Sequence, residues 1–211
     1  MKMNLSVIEK KIYKRQIMLF GEKGQKNLKK STVFIVGAGG LGSAAAFYIA
    51  GAGVGRIIIA DSDKVELSNL NRQILHGFRR VGKNKALSAQ TTLCALNGNI
   101  KIESVTEKIT AANIDKYAGK ADLLLDCLDN FETRFVLNEY AFRKKKPLIF
   151  GAIFGYFGQI AFIRPGKSFC LACLFEGSPE KGVFPVVGAT PGVIGSLQAM
   201  EAIKYLSSAG R

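Results

Sequence analysis

The sequence predicts a doubly wound α/β fold: a mainly parallel sheet with an N-terminal helix and a C-terminal helix. Three observations carry that expectation. Short apolar, β-branched runs alternate with helical patterns along the chain, which is the order that builds parallel strands with crossover helices. A glycine-rich turn stands between a strand pattern and a helix of small residues. At 211 residues the chain has the size of one large domain, and at 22.8 kDa roughly 70% of its unfolded surface can be buried without disulfide staples. No linker or internal repeat divides residues 1–211, so a single domain is expected, with residues 1–30 as an N-terminal helical region.

The elements follow in order. Ser6-Val-Ile-Glu9 is a capping box, and Leu5, Ile8, Ile12, Arg15 and Leu19 recur every three or four residues. They predict an amphipathic helix that runs to about Phe20 and stops at Gly21. Thr32–Val36 reads as a buried strand, Ser43–Ala50 as a small-residue helix, and Arg56–Ala60 as a second strand. A polar loop reaches to about Gly82, followed by a helix stopped by Asn97-Gly98 and a strand from Lys101 to about Val105. Asp122–Asp126 is a further strand, Asn130 caps a helix to about Arg143, and Pro147–Ile153 is the next strand. Phe157–Ile163 is expected to turn back beside it, and the last helix spans about Val193 to Leu206.

Composition narrows the function. With 48% hydrophobic and 22% charged residues the chain falls in the globular range, which excludes a disordered or collagen-like body. The net charge of +14 suits an anionic partner such as a nucleotide, nucleic acid or an acidic protein, and with scattered lysines it also reads as a basic solvated surface. Nucleic acid is disfavoured, because no aromatic residues interleave with the short basic run Arg143–Lys146. The uncharged stretch Val183–Met200 carries two prolines and three glycines and is a poor membrane span. The first twenty residues are too charged for a secretory signal, so a cytoplasmic location is expected. The single histidine, His76, leaves little room for imidazole relays and reads as structural.

The first chemical motif is Gly37-Ala-Gly39-Gly40-Leu-Gly42, set between a strand and a helix. Glycines there permit a tight turn and let phosphate oxygens approach backbone N–H groups at a helix N-terminus. Asp61 ends the second strand 24 residues after Gly37, where a carboxylate can accept hydrogen bonds from ribose hydroxyls. The pair indicates a Rossmann-like adenosine-nucleotide site without separating NAD from ATP. The charges that follow make the distinction: Asn69, Arg72 and Gln73 lie just beyond Asp61, Lys85 opens the next helix, and Asp129 stands at the carboxyl end of another strand. Two cations and a carboxylate able to hold Mg²⁺ suit a triphosphate, whereas hydride transfer needs neither.

With these motifs in place, the sequence resembles the E1-like adenylyltransferases, the superfamily of ThiF, MoeB, HesA and the ubiquitin-activating enzymes. The resemblance runs from Tyr13-Lys-Arg15-Gln16-Ile through VGAGGLG, SNLNRQ, VGKNK and LDCLDN to GVIGSLQAMEAIKYL. It implies ATP and Mg²⁺ as cofactors. It makes Asp61 the ribose ligand, places Asn69, Arg72 and Lys85 on the phosphates with Asp63 and Gln73 in the same nucleotide set, and makes Asp129 the metal-associated aspartate. Arg15 is similar to an arginine that enters the active site of the partner in a homodimer. The implied reaction is attack of a carboxylate on the α-phosphorus of ATP, giving an acyl-adenylate and pyrophosphate. A carboxylate is already ionised at pH 7 and needs no general base, which fits the scarcity of histidine.

Two departures stand out. Cys170-Leu-Ala-Cys173 has no second Cys-x-x-Cys downstream before Arg211, so a tetrathiolate zinc site is not expected. Between Leu174 and Gly192 there is no cysteine, so no covalent thioester is expected either. Cys94 reads as a helix core residue and Cys127 as a strand-end residue. The acyl substrate is expected to be a sulfur-carrier protein or a small-molecule carboxylate such as the guanylylpyridinol precursor of the [Fe]-hydrogenase cofactor. A carboxylate on a tRNA adenosine, an NAD-binding oxidoreductase and a non-catalytic nucleotide-binding scaffold are the alternatives.

Overall fold

Strand β1 (Thr32–Val36) lies inside a six-stranded sheet, flanked on one side by β2 (Arg56–Ala60) and then β3 (Lys101–Val105). On its other side are β4 (Leu123–Asp126), β5 (Leu148–Phe154) and β6 (Phe157–Ile163), giving the order β3-β2-β1-β4-β5-β6. The structure is a computed structural model that describes residues 4–175 and 185–209. The first five strands are mutually parallel, and β6 alone runs antiparallel, returning through a turn at Gly155 (φ 58°).

Because β1 is buried on both faces, its residues alternate between two cores. Val33 and Ile35 join Ile57, Ile59, Leu123 and Leu125 beneath α3 (Gly40–Gly51) and α8 (Ala189–Ser207). Phe34 and Val36 join Ile58, Leu124 and Phe150 beneath α6 (Phe131–Lys144), whose inner side supplies Leu137, Tyr140 and Ala141. This two-sided burial is why the parallel strands read as continuous apolar runs rather than alternating ones. Each fully buried large side chain, such as Phe34 or Ile59, contributes roughly 1.5–3 kcal/mol relative to exposure.

The N-terminus departs from the single helix expected. Ser6 and Glu9 do form the reciprocal capping box of α1 (Val7–Ile12), but the helix breaks at Tyr13 before α2 (Lys14–Lys30). Tyr13 is buried: its hydroxyl accepts from Asn97 Nδ2 at 2.8 Å, and its ring lies against Gly53. That anchoring fixes a non-helical turn where local periodicity continues. Gly21 interrupts α2 with φ 70° and ψ 172°, as its position suggested, yet the helix then resumes and buries Leu28. Two short helices, α5 (Ile114–Ala118) and α7 (Leu171–Leu174), have no counterpart in the expected pattern. The helix α4 (Lys85–Leu96) stops at Asn97 as expected. Its inner face is Ala86, Ala89 and Leu93, which turns Cys94 outward: Cys94 is exposed and is not the core residue expected.

No helix among the described residues is long and apolar enough to cross a membrane.

Candidate active site

The order of the strands reverses between β1 and β4, and the crevice opens there, at the carboxyl ends of the strands. A cavity of about 940 Å³ occupies it, walled by the turn after β1, the end of β2, the start of α4, the start of α6 and the β5–β6 end. Gly37 sits at φ 102°, and a Cβ there would lie 2.4 Å from the carbonyl oxygen of Cys127. A Cβ on Gly42 would lie 1.9 Å from the carbonyl oxygen of Gly37. The turn therefore closes on itself and on β4, and α3 starts at once, so the unpaired N–H groups of its first turn lie beside the wall made by Gly39, Gly40 and Leu41.

Asp61 braces this turn. Its Oδ2 accepts from Ala38 N at 2.8 Å and its Oδ1 from Asp63 N at 2.9 Å, which leaves further lone pairs for a ligand's hydroxyls. Burial pushes its carboxyl above the usual range, opposed by the two backbone donors and by the charge of Lys85. Asn84 caps α4 and donates from Nδ2 to the carbonyls of Asp61 and Asp63, so the loop after β2 is tied to the helix that carries Lys85. Lys85 is buried and its Nζ lies 3.0 Å from Asp63 Oδ2. Arg72 is held by neutral acceptors, the carbonyl of Ser68 at 2.8 Å and Asn71 Oδ1 at 2.9 Å. Gln73 lines the same wall, and its buried Oε1 has no partner among the described residues.

Asp61, Asp63, Arg72, Gln73, Lys85, Asp129, Gly37, Gly39 and Gly40 thus share one cavity. Gly42 supports the turn from behind. Asn69 does not line the cavity: it is buried under the wall, its Oδ1 accepting from Glu66 N within the short turn Leu67–Asn69. Arg15 is exposed on α2 and does not line its own chain's cavity. His76 is buried with both ring nitrogens engaged, one by Ser88 Oγ and one by the carbonyl of Ala38, each at 2.9 Å, and burial lowers its pKa.

The cysteines contribute no activated thiolate at the strand ends. Cys127 is buried, and burial, followed by the charge of Asp126, raises its pKa far above the usual thiol value. Cys170 and Cys173 lie 3.3 Å apart, and the hydrogen bond from Cys173 lowers the Cys170 thiol. No group of three or more His, Cys, Asp or Glu residues suited to a metal occurs among the described residues. Part of the crossover stretch between Leu174 and Gly192, residues 176–184, lies outside the described residues.

Sequence reasoning passed over Arg134. It lines the cavity, is 3% exposed, and its Nε lies 3.0 Å from Asp126 Oδ2. The signal was present: Arg134 occupies the inner register of α6 with Thr133, Leu137 and Asn138, where a cation demands a buried partner.

The ThiF family profile matches residues 13–211. The chain is 41% identical over 208 residues to the heterocyst protein HesA of Trichormus variabilis, covering 97% of this chain and 78% of that one. It is 42% identical over 212 residues to the sulfur carrier protein adenylyltransferase of Thermus thermophilus, covering 94% and 78%. Among solved structures, Escherichia coli MccB with ATP superposes with a TM-score of 0.84 at 24% identity, and this chain spans 64% of its length. With the profile matched over residues 13–211 and relatives 41% and 42% identical, the chain belongs to the ThiF family of E1-like adenylyltransferases.

Proposed function

We propose that this chain uses MgATP to adenylylate the C-terminal carboxylate of a ubiquitin-like sulfur-carrier protein. The observation that carries the adenylylation is the convergence of the glycine turn, Arg72 and Lys85 on one cavity whose lining, among the described residues, holds no histidine and no activated thiol. Such a site can position a nucleoside triphosphate and offset its charge, and the chemistry it suits needs neither an imidazole base nor a thiolate. The reaction with which this is consistent is attack by a substrate that arrives ionised. The carrier as substrate is supported by the similarity to the Thermus sulfur carrier protein adenylyltransferase.

In this reading the backbone N–H groups of the turn and of α3 take the phosphates, while Asp61 accepts from the ribose. Arg72 and Lys85 stabilise the negative charge that shifts onto the departing pyrophosphate. Asp129, exposed and close to Asn130, is a hard oxygen donor suited to Mg²⁺, which binds through one or two carboxylates and the phosphates. When bound, the metal would supply charge neutralisation along the triphosphate. No cysteine takes part and no zinc is required.

The unit is proposed to be a cytoplasmic homodimer. Val193, Leu197 and Met200 form an exposed apolar stripe on α8, which packs against α2 and α3, and these carry the exposed Met18, Leu19 and Tyr48. Arg15 lies on that same α2, so an interface over this face would bring it toward a second copy.

The test is exchange of labelled pyrophosphate into ATP, run with a panel of sulfur-carrier proteins and small carboxylic acids. Label should appear in ATP only with the carrier. Exchange with a small acid alone would move the substrate, and binding of NAD in place of ATP would overturn the reading.

A further inference from the structure

We infer that Arg134 is a positioning residue that sets Asp129 through the buried ion pair with Asp126. Asp126 is fully buried at the end of β4, and its Oδ1 accepts from Leu128 N at 3.1 Å. Arg134 Nη2 donates to the carbonyl of the same Leu128 and, at 3.1 Å, to that of Gly151 on β5. Both polar groups of Leu128 are therefore held by the two members of one ion pair. The adjacent residue is Asp129, which faces the cavity.

The guanidinium is itself immobilised. Its carbon lies 4.7 Å from the Phe150 ring centroid and 5.1 Å from that of Phe131. Phe175 meets the Phe150 and Phe131 rings edge-on, with centroids 5.7 and 5.2 Å away. The Nε to Oδ2 approach of 3.0 Å is a charge contact without the alignment of a hydrogen bond, so the guanidinium's directional bonds are spent on the two carbonyls. A pair that served only packing would not need to grip the turn from both sides. Removal of a carboxylate or carbonyl partner behind a metal-binding group typically weakens metal affinity, because the group then samples other orientations.

This rests on the placement of the metal at Asp129, and the test separates the two. The affinity of the purified chain for α,β-methylene-ATP is measured by calorimetry with and without Mg²⁺, which requires no acyl substrate. The Arg134→Lys variant keeps a cation beside Asp126 but loses the fork. It should lose about tenfold of the metal-dependent tightening while its metal-free affinity stays close to that of the wild type. In an Asp129→Ala background, Arg134→Lys should cost nothing further. Full tightening in Arg134→Lys overturns the inference, and so does a loss that multiplies with that of Asp129→Ala. Full tightening in Asp129→Ala alone overturns the metal placement instead. Thermal unfolding of each variant establishes folding, and Arg134→Gln, put through the same titration, replaces a lysine variant that does not fold.

Discussion

Lys85 and Arg72 face the cavity in different electrostatic states. Lys85 is paired with Asp63, whereas Arg72 leans on a carbonyl and an amide oxygen. Removing either should lower pyrophosphate exchange at least about 10²-fold with the fold intact, since each is a preorganised charge worth roughly 3 kcal/mol against the transition state. Lys85→Ala also leaves Asp63 uncompensated beside the phosphates, so the Lys85→Ala/Asp63→Ala pair should recover part of the loss. Rates near wild type for both single variants would remove these residues from the site.

Asp126 yields a pH signature. Burial raises its carboxyl to about 6 against the attraction of Arg134, with Cys127 as the other titratable neighbour. Its folded pKa exceeds the unfolded one, so the folded state binds the extra proton between about pH 4 and 6, and stability from this group declines as pH rises through that window. Glu9, Glu22, Glu103, Glu107 and Asp115 are shifted downward and act in the opposite sense. Denaturant midpoints for the wild type and Asp126→Asn isolate the group. The difference, wild type minus variant, should fall between pH 4 and 6 and level off above; a flat difference would refute the buried titration.

At the scale of elements, the turn from β1 into α3 leaves the least freedom. Gly42→Ala would drive a Cβ to 1.9 Å from a backbone oxygen that no side-chain rotation can move. The substitution should abolish ATP binding by calorimetry and lower the melting temperature by several degrees, on the order of a loss of 1–3 kcal/mol. Gly51→Ala on the same helix, where a Cβ meets nothing within 4 Å, is the control and should leave ATP binding unchanged. The starts of α1, α4 and α6 were legible because Ser6, Asn84 and Asn130 cap through their own side chains, a strictly local interaction. The helices α5 and α7 were not, because four or five residues carry no periodicity. Tertiary contacts hold them: Asp115 accepts from the Tyr140 hydroxyl, and Leu171 N donates to Asn138 Oδ1.

For the whole molecule the decisive question is whether one cavity is completed by another copy. Arg15→Ala and Asp129→Ala chains should each be inactive alone, and a mixture in which subunits exchange should regain activity, because one site of the heterodimer keeps every ligand. No recovery after confirmed subunit exchange would place Arg15 in its own chain's chemistry or outside the reaction. A fully active Arg15→Ala variant would reduce it to a surface residue of α2. A variant with all four cysteines replaced should retain exchange if it folds. Loss of exchange in a folded cysteine-free chain, or stoichiometric zinc in the wild type, would contradict a cysteine-independent mechanism.

The sequence by itself determined what depends on near neighbours: the strand runs, the caps, the glycine turn, and Asp61 at the end of β2. From these followed the fold class and a nucleotide cleft, and the motifs made the family resemblance legible. Tertiary structure decided what depends on which side of an element faces inward. Asn69, although part of the same motif as Arg72, turns under the wall to fasten Glu66, and Cys94 points to solvent one residue beyond the buried Leu93. Arg134 and Asp126 are eight residues apart, on a helix and a strand, and their pairing exists only once α6 lies across β4 and β5 and removes both charges from water. The helical register of α6 marks Arg134 as inward-facing, but which partner meets it follows only from the packing of those segments.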